Sequence, residues 1–493
     1  LVSPFCSLPA GRYLMFFRRI ANDHLFQSGY LIGCQANGTA LVVDPTRVIE
    51  PYLAVARQEG LEIVAVADTH IHADYVSGIR ELAAATGARM YLTGAGPADW
   101  QYAFRGESNV TVIGDGDTIT IGNIRVVAKH TPGHTPEHLS FLVTDGAAAD
   151  APMGILTGDF VFVGDVGRPD LLERAAHVAG TAEAGAHQLF QSLQWFKTLP
   201  DHLQVWPGHG AGSACGKGLG AVPQSTVGYE RRYNWALGTD DEALFVRQVL
   251  AGQPEPPGYF GRMKVINRDG PPVLGRLPEP RIVTAADLAS EVAAGKGVVV
   301  DTRPAAVYAA GHIPGSLNLP LNKSFTSYAG PVLPYDRPLY FILAEVGPES
   351  VQALVESLVV IGFEQLVGAA GTAAVSEWAA EQGALATASL QDIQSLQGEQ
   401  SGESVVLDVR NRPEWDAGHL PGARLIPLPE LTARLGELPK DVPIRVHCQS
   451  GARSAVAASV LRASGFADVT DLSGGFLAWM ARGGAVERGR GNA

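Results

Sequence analysis

Histidines and carboxylates recur just past β-branched runs in the first half of this sequence. THIHADYVSG holds His70, His72 and Asp74 in front of Tyr75; HTPGHTPEH supplies His134, TGD supplies Asp159 and WPGHGAG supplies His209. Each segment follows a strand-like stretch, so each is expected on a loop at one edge of a sheet, where α/β scaffolds place reactive groups. A lone histidine after a strand is ordinarily structural. Four such segments in one chain point instead to a metal ion, because imidazole and carboxylate are the ligands divalent first-row metals take.

A second chemistry stands near the other end, in RVHCQSGARSAVAASVLRASGF, residues 445–466. A strand runs into the loop Cys448, Gln449, Ser450, Gly451, Ala452, Arg453 and then into a helix. Successive backbone N–H groups turned inward, with the partial positive charge of a helix N-terminus, lower a thiol's pKa and cradle anionic sulfur species. Arg453 adds a full charge. A near-copy, LYFILAEVGPESVQALVESLVVIGF at 339–363, lacks the cysteine. Aligning Gly347 with Gly451 puts Ala344 at the cysteine position and Glu349 at the arginine position, so nucleophile and cation are both missing.

The elements that must hold these groups are legible as short runs: ALVVDP, EIVAVADTH, RMYLTG, VTVIGDGDTITIG, IRVVAKHTPGH and ILTGDFVFVGD. Further on, VVVDTRPAAVYAAGHIPGSLNLP (298–320) matches VVLDVRNRPEWDAGHLPGARLIP (405–427), a domain duplication too long in period for a solenoid. The Pro- and Gly-dense stretch 254–280 shows no period and is expected to be a linker. A chain of 493 residues exceeds what one core supports. The expected layout is an extension over 1–14, a first domain over 15–253, the linker, and two similar domains over 281–384 and 385–488.

A net charge of −13 disfavours nucleic acid, which selects a basic face, and no apolar run is long enough to span a bilayer. Cys6, Cys34, Cys215 and Cys448 are too few and too scattered for a disulfide framework, which fits a reducing cytoplasm.

Over residues 15–250 the histidine segments resemble the metallo-β-lactamase superfamily, and CQSGAR with DVRNRPEWDAGHLPGA and LSGGFLAW resembles rhodaneses over 388–488. The fold class implied is multidomain α/β: an αββα metallo-β-lactamase sandwich followed by two rhodanese-like α/β domains. The whole resembles bacterial fusions of a persulfide dioxygenase with an inactive and an active rhodanese.

That resemblance implies one iron(II) per chain held by His70, His134 and Asp159, with His72, Asp74, Tyr75 and His209 behind the ligands in orienting or structural roles. Hydrolases of the glyoxalase II type have a metal-binding histidine where Tyr75 stands, and a dinuclear zinc thioester hydrolase is the alternative. Arg168, in GDVGRPDL, is expected to bind the carboxylates of a carrier thiol, or else to pair with Asp170. Cys215, in GSACGK, is expected to border the substrate and relay sulfur, or else to be an inert buried thiol.

The implied reaction oxidises a low-molecular-weight persulfide with O2 to sulfite and passes sulfane sulfur through Cys448 to or from thiosulfate. Glutathione, coenzyme A or a similar thiol is the expected carrier, and a cytoplasmic homo-oligomer the expected form.

Overall fold

Two six-stranded sheets and two five-stranded sheets carry the structure. This computed structural model describes residues 15–171, 173, 180–253, 255–398 and 404–489; the expected extension over 1–14, with Cys6, lies outside them. Two units are distinct: one runs to Pro256 and adds Phe260–Gly275, and the other is Pro257–Tyr259 with Arg276 onward.

In the first unit, β1 (Met15–Asn22), β2 (Gln27–Cys34), β3 (Thr39–Val43), β4 (Glu62–Ala67), β5 (Arg89–Thr93) and β6 (Val110–Ile113) pair in sequence order. β7 (Thr118–Ile121), β8 (Ile124–His130), β9 (Leu139–Asp145), β10 (Gly154–Gly158), β11 (Gln204–Pro207) and β12 (Ser225–Thr226) form the second sheet in reverse order. Alternation along β3, β4, β8 and β9 sends Leu41, Val43, Ala65, Val126 and Phe141 into one core between the sheets. The opposite faces bury Val42, Val66 and Leu82 on one side, and Ile155, Leu189 and Val205 on the other, against helices such as Ile79–Thr86 and Thr181–Phe196. The layers are therefore helix, sheet, sheet, helix.

The second unit holds two copies of one parallel topology: β13 (Arg281–Ile282), β14 (Val298–Asp301), β15 (Leu317–Asn318), β16 (Leu339–Ile342) and β17 (Leu366–Ala370), then β18 (Ser389–Asp392), β19 (Val405–Asp408), β20 (Arg424–Leu425), β21 (Ile444–His447) and β22 (Val469–Ser473). The orders, β13-β17-β16-β14-β15 and β18-β22-β21-β19-β20, are the same.

The stretch 254–280, expected to be a linker, contains the ten-residue helix Phe260–Asp269. Its Pro and Gly residues cluster at the two ends and leave YFGRMKVINRD free of proline, so a helix fits between them. Among the described residues no helix is long and apolar enough to cross a membrane.

Candidate metal centre and sulfur-transfer loop

Loops leaving β4, β8, β10 and β11 bring His70, His134, Asp159 and His209 to one end of the first unit. Nitrogens of His70 and His134 and a carboxylate oxygen of Asp159 all lie within 4.8 Å of one another, fully buried. The Oδ2 of Asp159 is 3.5 Å from His134 Nε2 and 4.0 Å from His70 Nε2. That oxygen has no hydrogen-bond partner among the described residues. A buried anionic oxygen without a partner is strongly disfavoured, and a cation between it and the two imidazoles removes the penalty.

The hydrogen bonds behind the trio fix which nitrogen faces inward. His134 Nδ1 is 2.9 Å from the Arg168 carbonyl, which only accepts, so Nδ1 carries the proton and Nε2 the lone pair. Thr69 donates its hydroxyl to Asp44 Oδ2 at 3.0 Å and therefore accepts from His70 Nδ1 at 2.9 Å. His70 is thereby left with a free Nε2 as well. The Asp159 backbone N–H donates to His138 Nε2 at 3.1 Å, holding the carboxylate's own loop in place.

This packing requires a glycine in TGD. Gly158 has a left-handed φ of 48°, and a Cβ there would lie 2.6 Å from Thr69 Oγ1 and 2.7 Å from His138 Nε2.

His209 lies between two carboxylates, with Nδ1 2.7 Å from Asp159 Oδ1 and Nε2 2.7 Å from Asp74 Oδ2. Burial lowers its pKa, but Asp159 and Asp74 outweigh burial and hold it well above the ordinary histidine value. His72 behaves alike: burial opposes its charge, yet Asp44, 3.1 Å from Nε2, brings it up to about 9. Tyr75 stacks on His72 at 4.4 Å and commits its hydroxyl to His72 and to Gln27 Nε2, at 3.0 and 3.2 Å.

Arg168 does not stand open to a carboxylate ligand. It is fully buried, its guanidinium makes a bidentate pair with Asp170 at 2.7 and 2.8 Å, and Nη1 donates to the Ala214 carbonyl. Only its backbone meets the site, through His134 and through Arg168 N–H to the Cys215 carbonyl. The motif reads alike for a substrate clamp and for an internal brace, and burial decides for the brace.

Cys215 is buried too, its sulfur within 4.8 Å of the ligand atoms of Asp74 and His209. Burial, followed by Asp159 and Asp74, pushes its thiol well above the usual range, so it keeps its proton.

Residues outside the motifs complete the centre. Asp44, from VVDP, accepts from the Thr69 N–H as well as its hydroxyl, and so supports both His70 and His72. Asn267, on the Phe260–Asp269 helix, donates to the His72 and Tyr75 carbonyls at 2.7 and 2.6 Å and accepts from Ser77 N–H. Nothing short of tertiary structure pairs these groups, although an Asp closing a buried strand, as in VVDP, is a signal in itself.

In the second unit β21 ends at His447, and the helix Ala452–Ala463 begins after Gly451, so the loop proper is Cys448–Gly451 and Arg453 lies in the helix's first turn. Gly451 N–H points at Cys448 Sγ at 3.1 Å. The LSGGF turn clamps the loop from behind: Phe476 N–H donates to the Cys448 carbonyl at 2.8 Å and Leu477 N–H to the Gln449 carbonyl at 3.0 Å. Gly475 is needed there, because a Cβ would lie 2.4 Å from the Cys448 carbonyl oxygen.

Neither nearby arginine is an isolated charge. Arg453 makes a bidentate pair with Glu414 at 2.6 and 2.7 Å, and Arg410 pairs with Asp408 while reaching Gln449 Oε1 at 3.1 Å.

The strand registers correct the comparison of the two copies. Asp301 pairs with Ile342 as Asp408 pairs with His447, so Leu343, not Ala344, takes the place of Cys448. The helix Pro348–Val359 starts after Gly347, as its counterpart starts after Gly451. The first copy therefore carries one extra loop residue, which an ungapped alignment absorbs invisibly. Leu343 is buried, and Glu349 is the second residue of its helix, where Arg453 stands in the other.

Comparison with known proteins agrees with this architecture. Residues 23–209 match the metallo-beta-lactamase superfamily, and residues 284–368 and 390–482 match the rhodanese-like domain. A solved metallo-beta-lactamase from Staphylococcus aureus is 42% identical, covers 72% of this chain and 99% of its own, and superposes with a TM-score of 0.66. A hydroxyacylglutathione hydrolase of Rhodospirillum rubrum is 31% identical over 36% of this chain and 60% of its own length. A mitochondrial persulfide dioxygenase of Bos taurus is 26% identical over 36% of this chain and 62% of its own. The chain thus spans about three fifths of the length of these two relatives.

Proposed function

Because the chain belongs to the metallo-β-lactamase superfamily and carries two rhodanese-like domains, we propose that it is a persulfide dioxygenase joined to a sulfurtransferase. Residues 15–253 are the dioxygenase, 281–384 an inactive rhodanese and 385–488 the active one. The substrates are a low-molecular-weight persulfide, such as that of glutathione or coenzyme A, and O2; the products are sulfite and, through Cys448, thiosulfate.

The observation that carries this reading is the trio His70, His134 and Asp159, its two Nε2 lone pairs and one unpartnered carboxylate oxygen converging on one point. Two imidazoles and a carboxylate suit iron(II), which when bound supplies open positions where dioxygen and a persulfide sulfur are activated together. Thr69 and the Arg168 carbonyl hold the protons of His70 and His134 on Nδ1. His209, charged between Asp74 and Asp159, keeps Asp159 turned so that only Oδ2 faces the imidazoles.

At the second centre the Cys448 thiolate attacks the outer sulfur of a persulfide, forming a Cys448 S–S bond as the carrier leaves as thiolate. Sulfite then attacks that outer sulfur, thiosulfate departs and the Cys448 thiolate is restored. The Gly451 N–H receives the thiolate charge.

A dinuclear zinc thioester hydrolase is the second reading. Asp74, His209 and Cys215 form a further buried trio with ligand atoms within 4.8 Å, and the hydroxyacylglutathione hydrolase is similar to this chain. Metal content and oxygen uptake separate the two. One iron per chain with O2 consumed only when a persulfide is present supports the dioxygenase; two zinc ions with thioester hydrolysis and no O2 uptake overturns it.

A further inference from the structure

The two rhodanese-like copies share one buried arginine brace, and only one copy connects it to a loop. β14 closes on Asp301 and β19 on Asp408, and two residues later Arg303 and Arg410 turn back on those carboxylates. Each pairs through Nε at 2.9 Å and Nη2 at 2.6 Å. In each, Nη2 also donates to a glycine carbonyl eight residues on, Gly311 at 2.9 Å and Gly418 at 2.8 Å. The cysteine-less copy keeps all of this, so this much belongs to the fold.

The contacts of Nη1 and of the guanidinium face separate the copies. Arg410 Nη1 donates to Gln449 Oε1 at 3.1 Å, and its guanidinium carbon lies 4.0 Å from the centre of the Phe476 ring. Gln449 follows Cys448 and gives its carbonyl to Leu477 N–H at 3.0 Å, while Phe476 N–H holds the Cys448 carbonyl at 2.8 Å. Gln449 is thus pinned at its side chain and at its backbone. In the other copy Ala344 follows Leu343 and offers no such acceptor, and among the described residues Arg303 bonds only to Asp301 and Gly311. The second residue of the helix after the last strand is Phe476 in one copy and Ala374 in the other. Both partners that Arg410 gains lie on the Cys448 loop or on the turn that clamps it.

We propose that Arg410 is a positioning residue for sulfur transfer and that it acts through Gln449. Holding Gln449 at two points keeps the chain that runs on to Gly451 in the curve that brings Gly451 N–H to Cys448 Sγ, the geometry that receives an anion. The inference rests on the sulfurtransferase reading above. In the step it serves, the Cys448 thiolate attacks the outer sulfur of thiosulfate, the bond between the two sulfurs of thiosulfate breaks, and sulfite leaves with the electron pair. That step is the reverse of thiosulfate formation and uses the same groups.

The test is sulfur transfer from thiosulfate to glutathione by the full chain and by Arg410→Lys, Gln449→Met, the double variant and Arg303→Lys. Lysine keeps a charge beside Asp408 and loses the branch to Gln449; methionine keeps the side chain's length without its acceptor. A hydrogen bond from a charged group carries roughly a tenfold effect. The thiosulfate KM is expected to rise about tenfold in each of the first two variants with kcat within about twofold, because the hold on the anion is lost in ground and transition state alike. Partial unfolding instead lowers kcat at constant KM. The double variant is expected to be no worse than either single one, since residues that act through one contact do not add. Arg303→Lys disturbs the same brace in the other copy and is expected to keep the parental KM. An unchanged KM in Gln449→Met overturns the role, and decides it even where Arg410→Lys does not fold, because the pair with Asp408 is untouched. A rise of roughly a hundredfold in the double variant, or an equal rise in Arg303→Lys, overturns it too while leaving the sulfurtransferase standing. A parent chain that transfers no sulfur from thiosulfate overturns the sulfurtransferase reading and this inference with it.

Discussion

The Nε2 of His134 stands 3.5 Å from the Oδ2 of Asp159, and that oxygen is buried with no hydrogen-bond partner among the described residues. The other polar atoms of Asp159 named above are satisfied: Oδ1 meets His209 and the backbone N–H meets His138. The orphaned atom thus marks the point at which a cation completes the site.

Replacing one donor should empty that point. His134→Ala and Asp159→Asn are each expected to lower metal content from one per chain to less than about a tenth, since two remaining donors cannot compete with water. Elemental analysis of the purified chains, with circular dichroism to verify folding, checks this. Full metal occupancy in His134→Ala would place the ion elsewhere.

Gly158→Ala tests the packing behind the ligands. The left-handed φ of 48° costs a residue with a Cβ about 1–2 kcal/mol. Contact with Thr69 and His138 adds to that and displaces the relay that sets the His70 tautomer. Reduced stability in urea and weaker metal retention are expected together; a variant with parental values of both would show that the loop yields freely.

Much of this centre is legible in the order of residues alone, for a physical reason. Ligands on loops after strands fall at intervals dictated by the strands, so His70, His134 and Asp159 stand out. The relay does not: Thr69, Asp44 and His138 act through contacts between separate strands, and Asn267 reaches in from a segment whose flanking prolines suggest no regular element. Arg168 misleads because its motif carries no record of burial, and Ala344 because a one-residue insertion leaves both ends of the loop matched. Duplication is readable from the repeat in the second half, whereas the fold class is carried by the resemblance of the motifs to known families.

Asp471, on β22, gives the second unit a pH signature. Burial, against a smaller lowering by Ser454 and Arg462, raises its pKa from 3.8 to about 6. For a carboxyl raised on folding the unfolded chain ionises first, so stability is full below pH 3.8 and is lost as pH climbs to about 6. Asp471→Asn should therefore unfold at higher temperature than the parent at pH 7.5, by the equivalent of up to about 3 kcal/mol, and match it at pH 3.5. Equal melting at pH 7.5 would show that the carboxylate is well solvated.

Cys448→Ser should separate the two chemistries. A hydroxyl in the same loop cannot form a persulfide, so sulfur transfer should fall to the uncatalysed rate while persulfide-dependent oxygen uptake persists and sulfite accumulates in place of thiosulfate. Thiosulfate formed at the parental rate would assign the transfer to another thiol, and Cys215, buried and protonated, is poorly suited to it.

Returning a thiol to the first copy should not restore transfer. Leu343→Cys, made in the Cys448→Ser chain, puts sulfur just past the end of β16, as Cys448 stands just past the end of β21. The loop that follows is one residue longer, and its Gly347 N–H is committed to Ser350 Oγ at 3.0 Å, where Gly451 N–H points at Cys448. Glu349 then occupies the helical position of Arg453, and a like charge beside a thiol raises its pKa and repels anionic donors. Intact-mass measurement after incubation with thiosulfate should find no added sulfur on Leu343→Cys. Adding Glu349→Arg should bring no more than a trace, because charge reversal leaves the loop length unaltered. A persulfide forming readily in either chain would mean that strand and helix alone, without the Cys448–Gly451 geometry, suffice to activate the cysteine.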